Sequence, residues 1–187
     1  MAKLELWQDA WPLDVNQCPC DVHFTRYLEA QGFKNQRIFH FGTGDHHHVG
    51  LQAPSNGHVV LGITATEPEY SSYIRLVVNN PLLGKHYKVL FTDIYQTILD
   101  LLPSFDLITM FHVGEFWSAN NAPHAILDDE ALLEGMIGKL VPGGRLFLYT
   151  GSFAYAVPER LIPAVAARNG LIEEPQFESL RVFRKPA

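Results

Sequence analysis

Short apolar runs alternate with helical stretches along this chain, and that alternation leaves few folds open. The apolar runs are Ile38 to Phe41, His58 to Ile63, Lys88 to Phe91, Asp106 to Phe111 and Arg145 to Tyr149. The second contains Val-Val-Leu-Gly-Ile, apolar on both alternating faces, as in a strand covered from both sides. Between them lie helical patterns over Glu69 to Val78, Ile94 to Leu102, Glu130 to Leu140 and Pro158 to Asn169, the last stopped by Gly170. Strands alternating with helices imply a mainly parallel sheet with helices on both faces. Glu174 to Glu178 and Leu180 to Arg184 close the chain as a strand pair. Only the first crossover is poor: Gly50, Pro54, Ser55, Asn56 and Gly57 crowd the segment His46 to Gly57, so its helix is short or absent.

Upstream, Asp21 is placed to cap a helix over Val22 to Gln31, stopped by Gly32. Residues 1–21 read as an irregular arm, and Trp7 and Trp11 suggest that it packs on the rest. With 187 residues, 47% of them hydrophobic, the whole chain is expected to be one domain with a full core. A net charge of −6 argues against a general nucleic-acid binder. No apolar run approaches the ~18–20 residues of a membrane span. The N-terminus carries acids where a secretory signal would be apolar. No membrane partner is expected, and a cytoplasmic address is the default. The aromatic arm suits a lid or a homodimer contact equally.

The chain has two cysteines, Cys18 and Cys20, separated by a proline that sets them against a mutual disulfide. His23 completes C-x-C-x-x-H. Zinc takes about four ligands, and a fourth would have to come from elsewhere. The segment therefore reads as a loop with two reduced thiols. After the first strand comes Gly42-Thr-Gly44, the G-x-G spacing that lets a backbone approach a nucleotide-like ligand. His46 stands where a third glycine would be expected.

Three segments resemble the class I S-adenosylmethionine-dependent methyltransferases: Phe-His-Phe-Gly-Thr-Gly-Asp, Ser-Phe-Asp-Leu-Ile-Thr-Met-Phe-His-Val-Gly-Glu-Phe, and Leu-Val-Pro-Gly-Gly-Arg-Leu-Phe-Leu-Tyr. The resemblance runs from about Ile38 to Arg184. It implies a Rossmann-like, mostly parallel seven-stranded sheet with helices on both faces and an antiparallel last strand. The ligand would lie at the carboxyl ends of the strands, near the switch point between the first and fourth.

The resemblance also implies cofactor contacts, some at altered positions. Gly42 and Gly44 match the glycine loop. His40 stands where the family has an acid that orients that loop and the ammonium end of the cofactor. Thr64 stands where an acid grips the ribose hydroxyls, and Glu67 or Glu69 is placed to substitute for it. Asp93 matches the acid that meets the adenine amino group, a contact a carboxylate can accept; it can equally cap the following helix. His112 follows the fourth strand, at the methyl-donor pocket. The function implied is methyl transfer from S-adenosyl-L-methionine to a small molecule, with His112, then Glu115, as general base. Restoring the family residues with His46→Gly and Thr64→Asp is expected to strengthen cofactor binding. Two other functions stay open: a non-catalytic binding or scaffold protein of this fold, and a metal-binding protein using His46 to His48 with His58 or His112.

Overall fold

The computed structural model describes residues 8–187, so Trp7 and the start of the arm lie outside the described residues. Seven strands form one sheet: β1 (Arg37–Phe41), β2 (Val59–Thr64), β3 (Tyr87–Phe91), β4 (Phe105–Thr109), β5 (Leu140–Tyr149), β6 (Ile172–Phe177) and β7 (Leu180–Arg184). Their spatial order is β3-β2-β1-β4-β5-β7-β6. The first five pair in parallel, and β7 runs antiparallel to both of its neighbours. Order reverses between β1 and β4, so the switch point lies where the sequence put it.

Strand periodicity divides the core in two. Ile38 of β1, Leu107 of β4 and Phe147 of β5 face one side, where they pack with α1 (Cys20–Ala30), α2 (His48–Gln52) and α3 (Glu67–Asn79). Phe39, Ile108, Leu146 and Leu148 face the other, against α4 (Asp129–Gly138) and α5 (Ala156–Asn169). Side chains alternate in this way because successive residues of a strand point to opposite faces.

The first crossover is as short as its composition implies: α2 has five residues, and a 3-10 turn, Ala53–Asn56, follows it. Gly50 is needed there because a Cβ would sit 2.5 Å from the Tyr87 ring. Three expectations need correction. The segment Ile94 to Leu102 is two single 3-10 turns, Ile94–Gln96 and Leu99–Leu101, with Thr97 and Ile98 extended between them. This turns Ile94, Tyr95 and Leu102 inward and leaves Ile98 exposed, an arrangement a continuous helix would not give. Second, Pro142-Gly143-Gly144 is an irregularity inside β5, which begins at Leu140 directly after α4. Gly143 takes φ +77°, and a Cβ on Gly144 would press on the carbonyl oxygens of Asp106 and Val141 at 2.9 Å. Third, Asp21 is no cap: α1 starts at Cys20 after Pro19, without a side-chain cap, and Asp21 is buried.

Candidate active site

A cavity of about 400 Å³ opens at the carboxyl ends of β1, β2 and β4. Its walls include Gly42 and Gly44 after β1, Thr64 and Glu69 after β2, Asp93 after β3, and His112 and Glu115 after β4. The arm closes it from above. Trp11 packs edge-on against Phe116 with ring centroids 5.8 Å apart, its backbone N–H donates to Glu69 Oε1 (3.3 Å), and its backbone carbonyl accepts from Asp45 N–H (2.9 Å). Trp11 thus packs as the sequence suggested.

The site supplies two acids from positions that the family pattern does not use. Thr64 is uncharged, but its hydroxyl donates to Glu69 Oε2 at 2.8 Å, and Thr43 donates to the same oxygen at 3.4 Å. The buried Glu69 carboxylate therefore sits at the end of β2, where an acid was looked for. Burial pushes its pKa above the ordinary value; the hydroxyl and amide donors only partly offset this. Glu67, the other residue weighed for this role, is exposed. His40 likewise lacks charge-bearing oxygen, but Asp21 reaches it from α1, with Oδ2 3.5 Å from His40 Nε2 and 3.8 Å from His46 Nδ1. The other His40 nitrogen, Nδ1, bonds the Thr109 hydroxyl at 2.8 Å. Burial raises the Asp21 pKa, but the imidazoles of His40, His46 and His112 more than reverse that and hold it below the usual range. Among the described residues, Asp21 Oδ2 has no hydrogen-bond partner, although it is fully buried in the cavity wall.

Asp93 is a cap, the second of the roles the sequence offered it. Its Oδ1 caps the Ile94–Gln96 turn by accepting from Tyr95 N–H at 2.9 Å, while Oδ2 accepts from Asn121 Nδ2 at 3.1 Å. It still lines the cavity, beside Ile94 and Phe116. Asn121 lies in a loop that the sequence marked only as polar.

The histidine run does not converge. His46 lies against Gly44 in the cavity wall, in the place a Gly44 Cβ would take, and its Nδ1 accepts from His48 N–H at 3.1 Å. His47 takes a left-handed backbone (φ 47°) and bonds the Tyr87 hydroxyl at 2.9 Å. His48 Nε2 meets the Thr25 hydroxyl at 3.1 Å, and His58 Nδ1 accepts from Gln36 N–H. A metal site built from these residues is therefore not assembled: successive side chains leave the backbone in different directions. Burial lowers the His47 pKa to about 4. A histidine with a depressed folded pKa loses stability as pH falls from its ordinary 6.5 through 4, by up to about 3 kcal/mol. His47→Asn, which tolerates the left-handed backbone, should flatten this acid limb in urea titrations at stepped pH. An unchanged limb would remove His47 as its source.

At the opposite wall, His112 Nδ1 donates to Glu115 Oε2 at 3.1 Å, with His112 taken as the donor. Glu115 Oε1 accepts from the Ser152 hydroxyl at 2.5 Å and from Phe153 N–H at 3.1 Å. Burial disfavours the charged His112, but the Glu115 bond and charge prevail and raise its pKa; Glu115 itself is lowered, its burial outweighed by His112. Gly42, at φ +83°, leaves room for the His112 ring, which would lie 3.0 Å from a Cβ there. His112 also meets the cysteines: its Nε2 is 3.9 Å from Cys20 Sγ, and Cys18 Sγ is 3.3 Å from Cys20 Sγ. The Cys20 hydrogen bond outweighs burial and lowers the Cys18 pKa to about 7. His23, the histidine nearest in sequence, turns away to Ser179 and Glu178.

This fold is the class I methyltransferase fold. It is shared with the N-methyltransferase NodS from Bradyrhizobium japonicum, solved with S-adenosyl-L-homocysteine (TM-score 0.61, 17% identity, 89% of this chain and 87% of that one). A TehB-like S-adenosylmethionine-dependent methyltransferase from Corynebacterium glutamicum also matches (TM-score 0.56, 19% identity, 87% of each chain). So does the [4+2]-cyclase SpnF (TM-score 0.61, 14% identity, 92% of this chain and 65% of that one). No protein-family model matches the chain, and no curated protein matches it in sequence. Among the described residues, no helix is long and apolar enough to cross a membrane.

Proposed function

We propose that this protein is an S-adenosyl-L-methionine-dependent methyltransferase acting on a small molecule. The observation that carries this reading is the cavity itself: the Gly42–Gly44 turn and the carboxylates of Glu69 and Asp93 converge on it from the ends of β1, β2 and β3. The chain's residues fit the cofactor. Asp21 Oδ2 suits its ammonium group: it is a buried anionic acceptor with imidazoles at 3.5 and 3.8 Å but no hydrogen bond among the described residues. Glu69 is positioned for the ribose hydroxyls, since a carboxylate offers about four acceptor sites and Thr64, Thr43 and Trp11 take three. Asp93 lines the cavity at the end of β3, on the side proposed for the adenine amino group, and Ile63, Ile94 and Phe116 supply apolar walls.

When bound, the cofactor supplies an electrophilic methyl group. The chain supplies the rest. Trp11 and Pro12 cover the cavity and exclude water, while Glu115 orients His112 toward the acceptor side. With Nε2 free of any metal, His112 in its neutral form takes the acceptor's proton at that atom. The enclosed volume favours a small acceptor, and the two free thiols fit a reducing, cytoplasmic setting.

Calorimetric titration with S-adenosyl-L-methionine and S-adenosyl-L-homocysteine tests this reading. Both are expected to bind one per chain. Glu69→Gln should weaken them about ten- to a hundredfold, as expected for losing charge-assisted bonds worth about 1.5–3 kcal/mol. The variant should fold as well as the parent at neutral pH, because it removes a carboxylate whose burial opposes ionisation. No heat from either ligand, with the protein folded, would leave the scaffold reading in front.

A further inference from the structure

We propose that Cys18, Cys20 and His112 form a binding site for a thiophilic divalent cation, zinc by its chemistry, in the wall of the cavity. The sequence offered the two thiols but paired them with His23. The fold instead brings in a histidine 92 positions from Cys20. One ligand atom from each of the three residues lies within 4.8 Å of the other two, with the sulfurs 3.3 Å apart and Cys20 Sγ 3.9 Å from His112 Nε2. Zinc bonds of about 2.3 Å to sulfur and 2.0–2.1 Å to nitrogen, in a tetrahedron, set ligand atoms roughly 3.5–3.8 Å apart. The Cys18–Cys20 and Cys20–His112 pairs are therefore already within about half an ångström of the spacing around one zinc ion, and the third pair closes on the same point.

Two further features point the same way. Glu115 holds His112 Nδ1, leaving Nε2 aimed at the thiols, the carboxylate–histidine arrangement that fixes the tautomer of a metal ligand. Glu115 is in turn held by Ser152 and by Phe153 N–H, so this support is rigid. All three candidate ligands also line the cavity, so a fourth coordination position opens into it. Two thiolates, one imidazole and an open position are the donor set of a catalytic rather than a purely structural zinc site. The inference stands on this cluster alone and does not require S-adenosyl-L-methionine to bind.

The test is titration of the full chain, with both thiols reduced by a phosphine, with Co²⁺ and then Zn²⁺ in the absence of S-adenosyl-L-methionine. One Co²⁺ per chain is expected, with thiolate-to-metal charge-transfer absorption in the near-ultraviolet and visible bands of tetrahedral intensity, both erased by one equivalent of Zn²⁺. Cys18→Ser, Cys20→Ser and His112→Gln should each weaken Zn²⁺ at least about a hundredfold in competition with a chromophoric chelator. Glu115→Gln should weaken it about 10–100-fold. His46→Gln should leave it unchanged. Cys18 is only half-buried, so its serine variant keeps the test alive if Cys20→Ser fails to fold. Absence of the charge-transfer band in the reduced, folded parent protein overturns the proposal. So does a band that survives in Cys18→Ser, or one lost in His46→Gln instead.

Discussion

Gly44→Val should lower the affinity for S-adenosyl-L-methionine at least a hundredfold without unfolding the protein. Gly44 sits at φ +56°, where a branched side chain is strained, and its Cβ would enter the His46 imidazole. That ring is itself held on the other side by His48 N–H, so it cannot retreat without breaking the start of α2. The turn must then reopen, and the bare backbone that Gly42 and Gly44 present to the cavity is lost. Gly32 provides the matched control: it has φ +64° and open space around a Cβ, so Gly32→Val carries the backbone strain alone, about 1–2 kcal/mol. Calorimetry on both variants separates the two effects. Binding by Gly44→Val within a few-fold of the parent would reduce the glycine turn to a structural device.

His46→Gly belongs to the same argument with the opposite sign. The imidazole lies over Gly44 in the cavity wall, as crowding at that position implied. Its removal should strengthen cofactor binding, the direction the family pattern suggested.

The sheet was legible because each strand is a compact apolar run and each crossover carries its own stop signal. The segment after β3 was not: Ile94, Ile98, Leu101 and Leu102 imitate a helical stripe, but the turn that Asp93 caps stops after Gln96, where Thr97 and Ile98 run extended. The altered acids were half legible. Thr64 and His40 could be recognised as departures, but their partners come from other elements. The available signal was an acid on an apolar stripe. Asp21 shares the buried face of α1 with Phe24 and Leu28, at helical spacing, and Glu69 shares that of α3 with Tyr73. A carboxyl on such a face must find a partner inside the protein. The Cys18–Cys20–His112 cluster was not legible, because no local spacing joins α1 to the end of β4.

Thr64→Asp, the change that would restore the family residue, should now be harmful. In the parent, Thr64 donates its hydroxyl to Glu69 Oε2 at 2.8 Å and accepts from Thr66 N–H at 3.0 Å. An aspartate there keeps the second contact but puts another carboxylate against Glu69, with both positions buried. Burial already raises the Glu69 pKa, so a second buried charge cannot be accommodated without cost. A charge left buried and uncompensated costs about 3–5 kcal/mol, which lowers the melting temperature of a chain of this size by about 6–20 °C. The two carboxyls raise each other's pKa. The loss is therefore largest at neutral pH and is relieved as pH falls and one of them binds a proton. Cofactor affinity at neutral pH should fall with it. Thr64→Asp with Glu69→Gln moves the single charge from α3 back to the end of β2. That double variant should recover the melting temperature and bind S-adenosyl-L-methionine more tightly than Glu69→Gln alone. If Thr64→Asp by itself melts like the parent at pH 7 and binds the cofactor more tightly, Glu69 is not the acid that serves this corner of the cavity.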